Sequence, residues 1–181
     1  MTQPSAAGST DSRVEDVGGA GEKAALYRDQ RIAYWNSYTR RRSSNYYHRR
    51  LAEIYRFLIP PGQRVLELGS GEGDLIASLK PSNGIGVDFS PELISRARNK
   101  HPEIEFSQQD VQELDLPGTF DYIILSDLVN DLWDVETVFE RVARLSGPQT
   151  RIVINTYSRL WELPLASVRA LGLANPTIDR N

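Results

Sequence analysis

Residues 65–74 read VLELGSGEGD, an apolar run that passes directly into a loop holding three glycines. A short apolar run that ends in glycines and resumes as a helical pattern is a buried strand opening a βα unit. Two later runs, YIIL at 122–125 and IVIN at 152–155, are equally continuous in apolar residues. Strands that do not alternate polar and apolar are covered on both faces, which belongs to parallel sheets with helical crossovers.

The intervening pattern supplies those crossovers. Strands are expected at Arg64–Leu68, Gly84–Val87, Ile104–Ser107, Phe120–Ser126 and Arg151–Thr156. Helices are expected at Gly73–Leu79, Pro91–Lys100 and Val135–Leu145, the second with Ser90 as N-cap and Pro91 at its first position. A turn is expected at Gly147-Pro148, and a last helix over Leu160–Leu171. Two helices precede the first strand. One spans Ala24–Tyr38, with Leu26, Ile32, Trp35 and Tyr38 inward. The other spans Tyr46–Leu58, with Tyr47, Leu51, Ile54, Tyr55 and Leu58 inward, and Pro60-Pro61-Gly62 stops it. The expected fold is α/β: a three-layer αβα sandwich on a mostly parallel, doubly wound sheet. Residues 1–23 carry too little apolar surface to order and form a tail. Residues 24–59 form a helical cap and residues 60–181 the sheet domain.

The chain has 181 residues and a net charge of −3, so no global basic field favours nucleic acid. It has no cysteine, which removes disulfides, thiolate metal sites and a cysteine nucleophile. No apolar run reaches the roughly 18–20 residues of a membrane span, and the N-terminus lacks the apolar core of a secretory signal. A cytoplasmic location is the default expectation.

In an open parallel sheet, ligands bind beyond the carboxyl ends of the strands. The loop Gly69–Gly73, with Ser70 and Gly71, sits at such an end and lets a ligand approach the backbone closely. A dinucleotide fingerprint would place its third glycine at residue 74, where Asp74 stands. A P-loop would need a lysine, and the loop has none. With Glu67, Glu72 and Asp74 nearby, the loop suits a ligand without phosphate and with positive charge. S-adenosylmethionine has that character. Asp88 closes the second strand, where an acid can accept from both ribose hydroxyls, and Phe89 can pack on the adenine. Asp110 can accept from the adenine amino group while the Val111 N–H donates to a ring nitrogen. Ser126, Asp127 and Leu128 end the fourth strand, near the methionine moiety.

These pieces (ELGSGEG at 67–73, GVDFS at 86–90, QQDVQEL at 108–114 and FDYIILSDLVNDLWD at 120–134) occur together in order. As a set they resemble a class I, Rossmann-like S-adenosylmethionine-dependent methyltransferase of the broad small-molecule group, over roughly residues 46–157. The resemblance implies that Glu67, Gly69 and Gly71 line the methionine end, Asp88 holds the ribose, and Asp110 and Val111 hold the adenine. It implies a backbone contact from Ser126 to the amino group. It also implies a seven-stranded sheet, two strands more than expected here. A C-terminal truncation, or a homodimer or downstream segment covering the fifth strand's edge, would account for the difference.

Methyl transfer needs positioning and desolvation, and a base only for hydroxyl or carbon acceptors. Asp131 and His48 are the candidate catalytic residues, each with a plainer alternative as a capping, packing or solvent-facing group. The arginines at 40–42, 49, 50 and 56 form either an acceptor-phosphate or lipid-headgroup patch or a solvated face, and Tyr34, Trp35, Tyr38, Tyr46 and Tyr47 either a lid or packing. No metal is expected. The place of an Asn/Asp-Pro-Pro-aromatic motif is taken by Ser126-Asp127-Leu128-Val129, which argues against nucleobase or glutamine amino groups. Small molecules, lipids or sugar-linked intermediates remain as acceptors. A non-catalytic methyltransferase-like scaffold and a nicotinamide-dependent oxidoreductase are the competing expectations, and Asp74 opposes the second.

Overall fold

A computed structural model describes residues 44–156 and, ahead of them, Leu26, residues 28–31 and Ala33 of one earlier helix. The elements are α1 (Ser44–Leu58), β1 (Arg64–Leu68), α2 (Asp74–Ser78), β2 (Asn83–Asp88), α3 (Pro91–Lys100), β3 (Glu105–Gln108), β4 (Phe120–Ser126), α4 (Val135–Arg144) and β5 (Ser146–Asn155). A 3-10 turn at Val129–Asp131 links β4 to α4. All pairings are parallel, in the order β3-β2-β1-β4-β5. The order reverses between β1 and β4, so the crevice of this sheet opens above that pair.

Side-chain alternation along the central strands builds two cores. Val65, Tyr122 and Ile124 face α1, α2 and α3, where they meet Tyr55, Ile59, Ile76, Leu79, Ile94 and Ala97. Leu66, Leu68, Ile123 and Leu125 face the opposite way, against Val138, Val142 and Leu145 in and after α4. The expected three-layer αβα sandwich is therefore present. Glu67 points to the same side as Val65 and lies beneath α2, which decides its chemistry below.

β4 and α3 run as the sequence patterns predict. Ser90 caps α3, its side chain accepting from the Leu93 N–H, and Pro91 opens the helix. Other details differ. The inward stripe of α1 is the partly buried His48, Leu51 and Ala52 and the buried Tyr55, continued by Ile59 just past the helix, while Ile54, Phe57 and Leu58 are exposed. The inward face is thus rotated from the most apolar one, because Tyr55 is drawn toward the end of β5. Leu26, expected inward, is exposed, and Arg31 is buried instead. Gly147-Pro148 lies inside β5 rather than before it. Phe120 pairs with Ser146 and Tyr122 with Arg151, so the expected turn is a bulge within a continuing strand. Thr150 closes that bulge, its hydroxyl donating to the Phe120 carbonyl at 2.5 Å and accepting from the Gly147 N–H at 2.8 Å. The tail at 1–23, Ile32, the aromatics at 34, 35 and 38, the arginines at 40–42 and the expected helix at 160–171 lie outside the described residues.

Gly73 precedes α2 with φ +78°, and a Cβ there would stand 2.4 Å from Cζ of the buried Phe106. Gly73→Ala is expected to cost about 2–4 kcal/mol, from left-handed backbone and overpacking together. Urea unfolding measures this, and an unchanged midpoint would mean that Phe106 yields freely.

Candidate functional site

The carboxyl ends of β1, β2 and β4 and the loop after β3 meet the cap residues around one cleft of about 810 Å³. Of the residues expected to bind a cofactor, Glu67, Gly69, Ser70, Gly71, Asp88, Phe89, Asp110, Val111, Ser126 and Asp127 all border it. Both expected catalytic residues, His48 and Asp131, border it as well. Gly73 does not: it is turned toward Phe106, and its role is to let α2 start close to β3.

The glycine loop is held from below. The N–H groups of Gly69 and Ser70 both donate to the Val87 carbonyl, at 2.8 and 2.9 Å, and that of Gly73 to the Ser70 carbonyl at 2.9 Å. The Gly71 N–H donates to Asp88 Oδ2 at 2.9 Å. A phosphate cradle needs such amides unspent and aimed at the ligand; here four of them are committed within the protein. Glu67 takes one more donor, accepting from the Ile76 N–H of α2 at 3.0 Å. This buried carboxyl occupies the place at the helix start that an anion would seek.

The sequence suggested that the loop's acids repel phosphate directly. Two of them border the cleft but are also ion-paired. Glu72 faces Lys100 at 3.4 Å and Arg96 at 3.6 Å, and Asp74 pairs with Lys100 at 2.7 Å and His101 at 2.9 Å. Their charge is neutralised by α3 and the residue after it. What disfavours phosphate is mainly the committed backbone, together with Glu67.

Asp88 is buried, and its two oxygens accept from the Gly71 and Ser90 N–H groups, each at 2.9 Å. A carboxylate has about four acceptor positions, so two remain for a ligand. Burial raises its pKa and those backbone donors lower it. Asp110 Oδ1 accepts from the Gln112 N–H at 2.9 Å, and Arg28 Nη1 lies 3.9 Å from its Oδ2. Glu67 is pushed up to about 8, first by burial, with Asp88 and Asp74 adding to it against the Ile76 bond. The hydroxyl of Ser70 is buried without a partner among the described residues. Gly71 has open space where a Cβ would project, whereas a Cβ on Gly69 would touch Leu128 at 3.0 Å.

At the other end of the cleft, Asp127 has a left-handed backbone, φ +54°; among described non-glycine residues only Lys80 shares that sign. Such a conformation costs about 1 kcal/mol and has to be held by its surroundings. The Tyr47 hydroxyl reaches Asp127 Oδ2 at 2.8 Å and Oδ1 at 3.0 Å, and Asn155 Nδ2 donates to Oδ1 at 2.7 Å. Tyr55 donates to Asn155 Oδ1 at 2.7 Å, and the Asp127 N–H donates to the Asn155 carbonyl at 3.1 Å. Burial raises both the Asp127 carboxyl and the Tyr47 phenol above their ordinary ranges. Asp131 pairs with the buried Arg31, and His48 stands edge-on to Tyr47 with ring centres 5.3 Å apart. Neither Arg31 nor Asn155 stood out in the sequence as a site residue. Only Asn155 had a local signal, as a polar residue at the carboxyl end of an apolar strand.

Fold and site together define a Rossmann-like α/β domain with a cleft at the carboxyl ends of its strands. Residues 59–176 match the family model described as a methyltransferase domain, and the chain belongs to that family. It is 30% identical over 126 residues to a probable S-adenosylmethionine-dependent methyltransferase of Mycobacterium tuberculosis, covering 66% of this chain and 46% of that protein. It is 35% identical over 115 residues to a phosphatidylethanolamine N-methyltransferase of Cereibacter sphaeroides, covering 59% and 57%. The chain thus spans about half the length of these curated relatives. Among solved structures it is similar to an S-adenosylmethionine-dependent methyltransferase from Clostridium acetobutylicum, with TM-score 0.51, 26% identity, and coverage of 56% of this chain and 45% of that one.

Proposed function

We propose that the cleft binds S-adenosylmethionine and that the chain serves methyl transfer from it to a small-molecule, lipid or sugar-linked acceptor. The observation that carries this is the pairing of two features. Asp88 at the end of β2 and Asp110 in the loop after the neighbouring β3 border one cleft with acceptor positions to spare, and the glycine loop opposite has its amides committed. Ribose and adenine are donors that such acids suit, and a pyrophosphate finds no cradle. Bound there, S-adenosylmethionine supplies an already activated methyl group. The residues of this chain orient it: Asp88 on the ribose, Phe89, Asp110 and Val111 on the adenine, and Glu67, Gly69, Ser70, Gly71 and Ser126 toward the methionine end. Acceptors enter between α1 and the turn after β4, past Leu51, Leu128, Leu132 and Trp133. Those apolar residues, beside Arg49 and Arg56 of α1 that also border the cleft, support a lipid-like acceptor, as does the similarity to a phosphatidylethanolamine N-methyltransferase.

Calorimetry tests the cofactor. Micromolar binding of S-adenosylmethionine and S-adenosylhomocysteine is expected, with no heat from NAD; a folded chain that binds neither sulfur compound refutes the proposal. Incubation with radiolabelled S-adenosylmethionine and vesicles of phosphatidylethanolamine tests the acceptor. Label in the lipid fraction supports a lipid, and label only in water-soluble extract components refutes it.

A further inference from the structure

We propose that the Asp127 carboxylate is a receptor for the amino group of the methyl acceptor, and that Tyr47 and Asn155 are positioning residues that hold it for that purpose. This rests on the cleft binding S-adenosylmethionine as proposed above, and it narrows the acceptor to an amine.

Asp127 borders the cleft directly after β4, on one side of the switch point. Its carboxylate is held from two directions. Tyr47 comes from the cap helix α1, and Asn155 from the end of β5. The Tyr55 hydroxyl, donating to Asn155 Oδ1, fixes the sense of that amide, so that its NH₂ and not its carbonyl meets Asp127. The Tyr47 proton is shared between both carboxylate oxygens, and the Asn155 contact falls on Oδ1. Among the described residues every donor on Asp127 is neutral, and Oδ2 keeps acceptor capacity.

Charge is what makes this arrangement point to a ligand. Among the described residues no cation stands within ion-pair distance of Asp127. The nearby Asp131 has Arg31, Glu72 has Lys100 and Asp74 has Lys100 and His101. An ionised carboxylate that is half removed from water and met only by neutral donors is costly unless a cation or strong donor completes it. A purely structural link between cap and sheet would need no charge. Asparagine or glycine would also adopt the left-handed backbone more readily. An amine completes the carboxylate in both charge and hydrogen bonding.

The full chain, saturated with S-adenosylhomocysteine and labelled with ¹³C at aspartate carboxyls, tests this with ethanolamine as the probe. The Asp127 signal is assigned from its loss in Asp127→Asn. Ethanolamine is expected to shift that signal saturably in the wild type. In Tyr47→Phe and Asn155→Ala the response should fall at least fivefold, while affinity for S-adenosylhomocysteine stays within twofold. Tyr46→Phe, which alters an exposed neighbouring ring, should respond as wild type. An Asp127 signal indifferent to ethanolamine in the wild type overturns the proposal, as does an equal response in Tyr47→Phe. A tenfold loss of S-adenosylhomocysteine affinity in Tyr47→Phe also overturns it, since Asp127 would then serve the nucleoside's own ammonium. Failure of the wild type to bind S-adenosylhomocysteine at all would instead sink the cofactor assignment itself.

Discussion

Asp88→Asn is expected to raise the dissociation constant for S-adenosylhomocysteine by about 100-fold or more. Each ribose hydroxyl donating to a carboxylate contributes about 1.5 kcal/mol, so losing two such bonds costs about 3 kcal/mol. The substitution also disturbs the loop. Asp88 accepts from Gly71 and Ser90 through different oxygens, and asparagine can accept only one of them. Its amide would face the other N–H, a donor against a donor, at a further cost of about 1–3 kcal/mol in stability. Asp110→Asn makes the contrast. Its Oδ1 accepts a backbone N–H as Asp88 does, but its other oxygen has no backbone donor to lose. Isothermal calorimetry and urea unfolding on both variants separate binding from folding. Affinity within threefold of wild type in a folded Asp88→Asn chain would remove Asp88 from the ribose.

Glu67 governs the second large effect. Its ordinary value is 4.5, and burial raises it to about 8 in the folded chain. Between those two pH values the native state holds a proton that the unfolded chain has released. Stability therefore falls as pH rises from about 4.5 to 8 and levels off above. The full span corresponds to about 5 kcal/mol as an upper bound. Glu67→Gln keeps an acceptor for the Ile76 N–H but has nothing to ionise, so its stability should lack this slope and exceed wild type above pH 8. Urea titrations from pH 5 to 8.5 check this; parallel curves for the two proteins would show that Glu67 ionises freely. Binding carries the same signature. A sulfonium and an ammonium brought near Glu67 favour its charged form, so S-adenosylmethionine should expel close to one proton near pH 7. Calorimetry in two buffers of different ionisation enthalpy reads that proton directly.

Much of the sheet was legible because its signals are local. β4 is an unbroken apolar run, and α3 carries its cap at Ser90 and its first-turn proline at Pro91. The strand-end acids Asp88 and Asp110 follow from the same reasoning, since parallel order puts strand ends on one side. Errors arose where a residue's surroundings come from distant chain. Glu72 and Asp74 do border the cleft, but Arg96, Lys100 and His101 pair with them there. Gly73 looked like part of the cofactor floor, but Phe106 presses on it. The apolar residues of α1 suggested one inward face, and Tyr55 seeking Asn155 selected another. Gly147-Pro148 reads as a turn in isolation, and the pairing of β5 with β4 carries the strand through it.

The sequence by itself determined the order of strands and helices, the glycine loop, and which residue types stand at the strand ends. Those follow from periodicity, caps and backbone freedom, which act over a few residues. Only the tertiary structure decided which amides of the loop are committed within the protein and which acids are ion-paired. It alone joined Tyr47 and Asn155 on Asp127. Hydrogen bonds and charge compensation depend on separations of a few ångströms, and residues 28 and 80 positions away along the chain reach Asp127 only once the sheet and cap have packed.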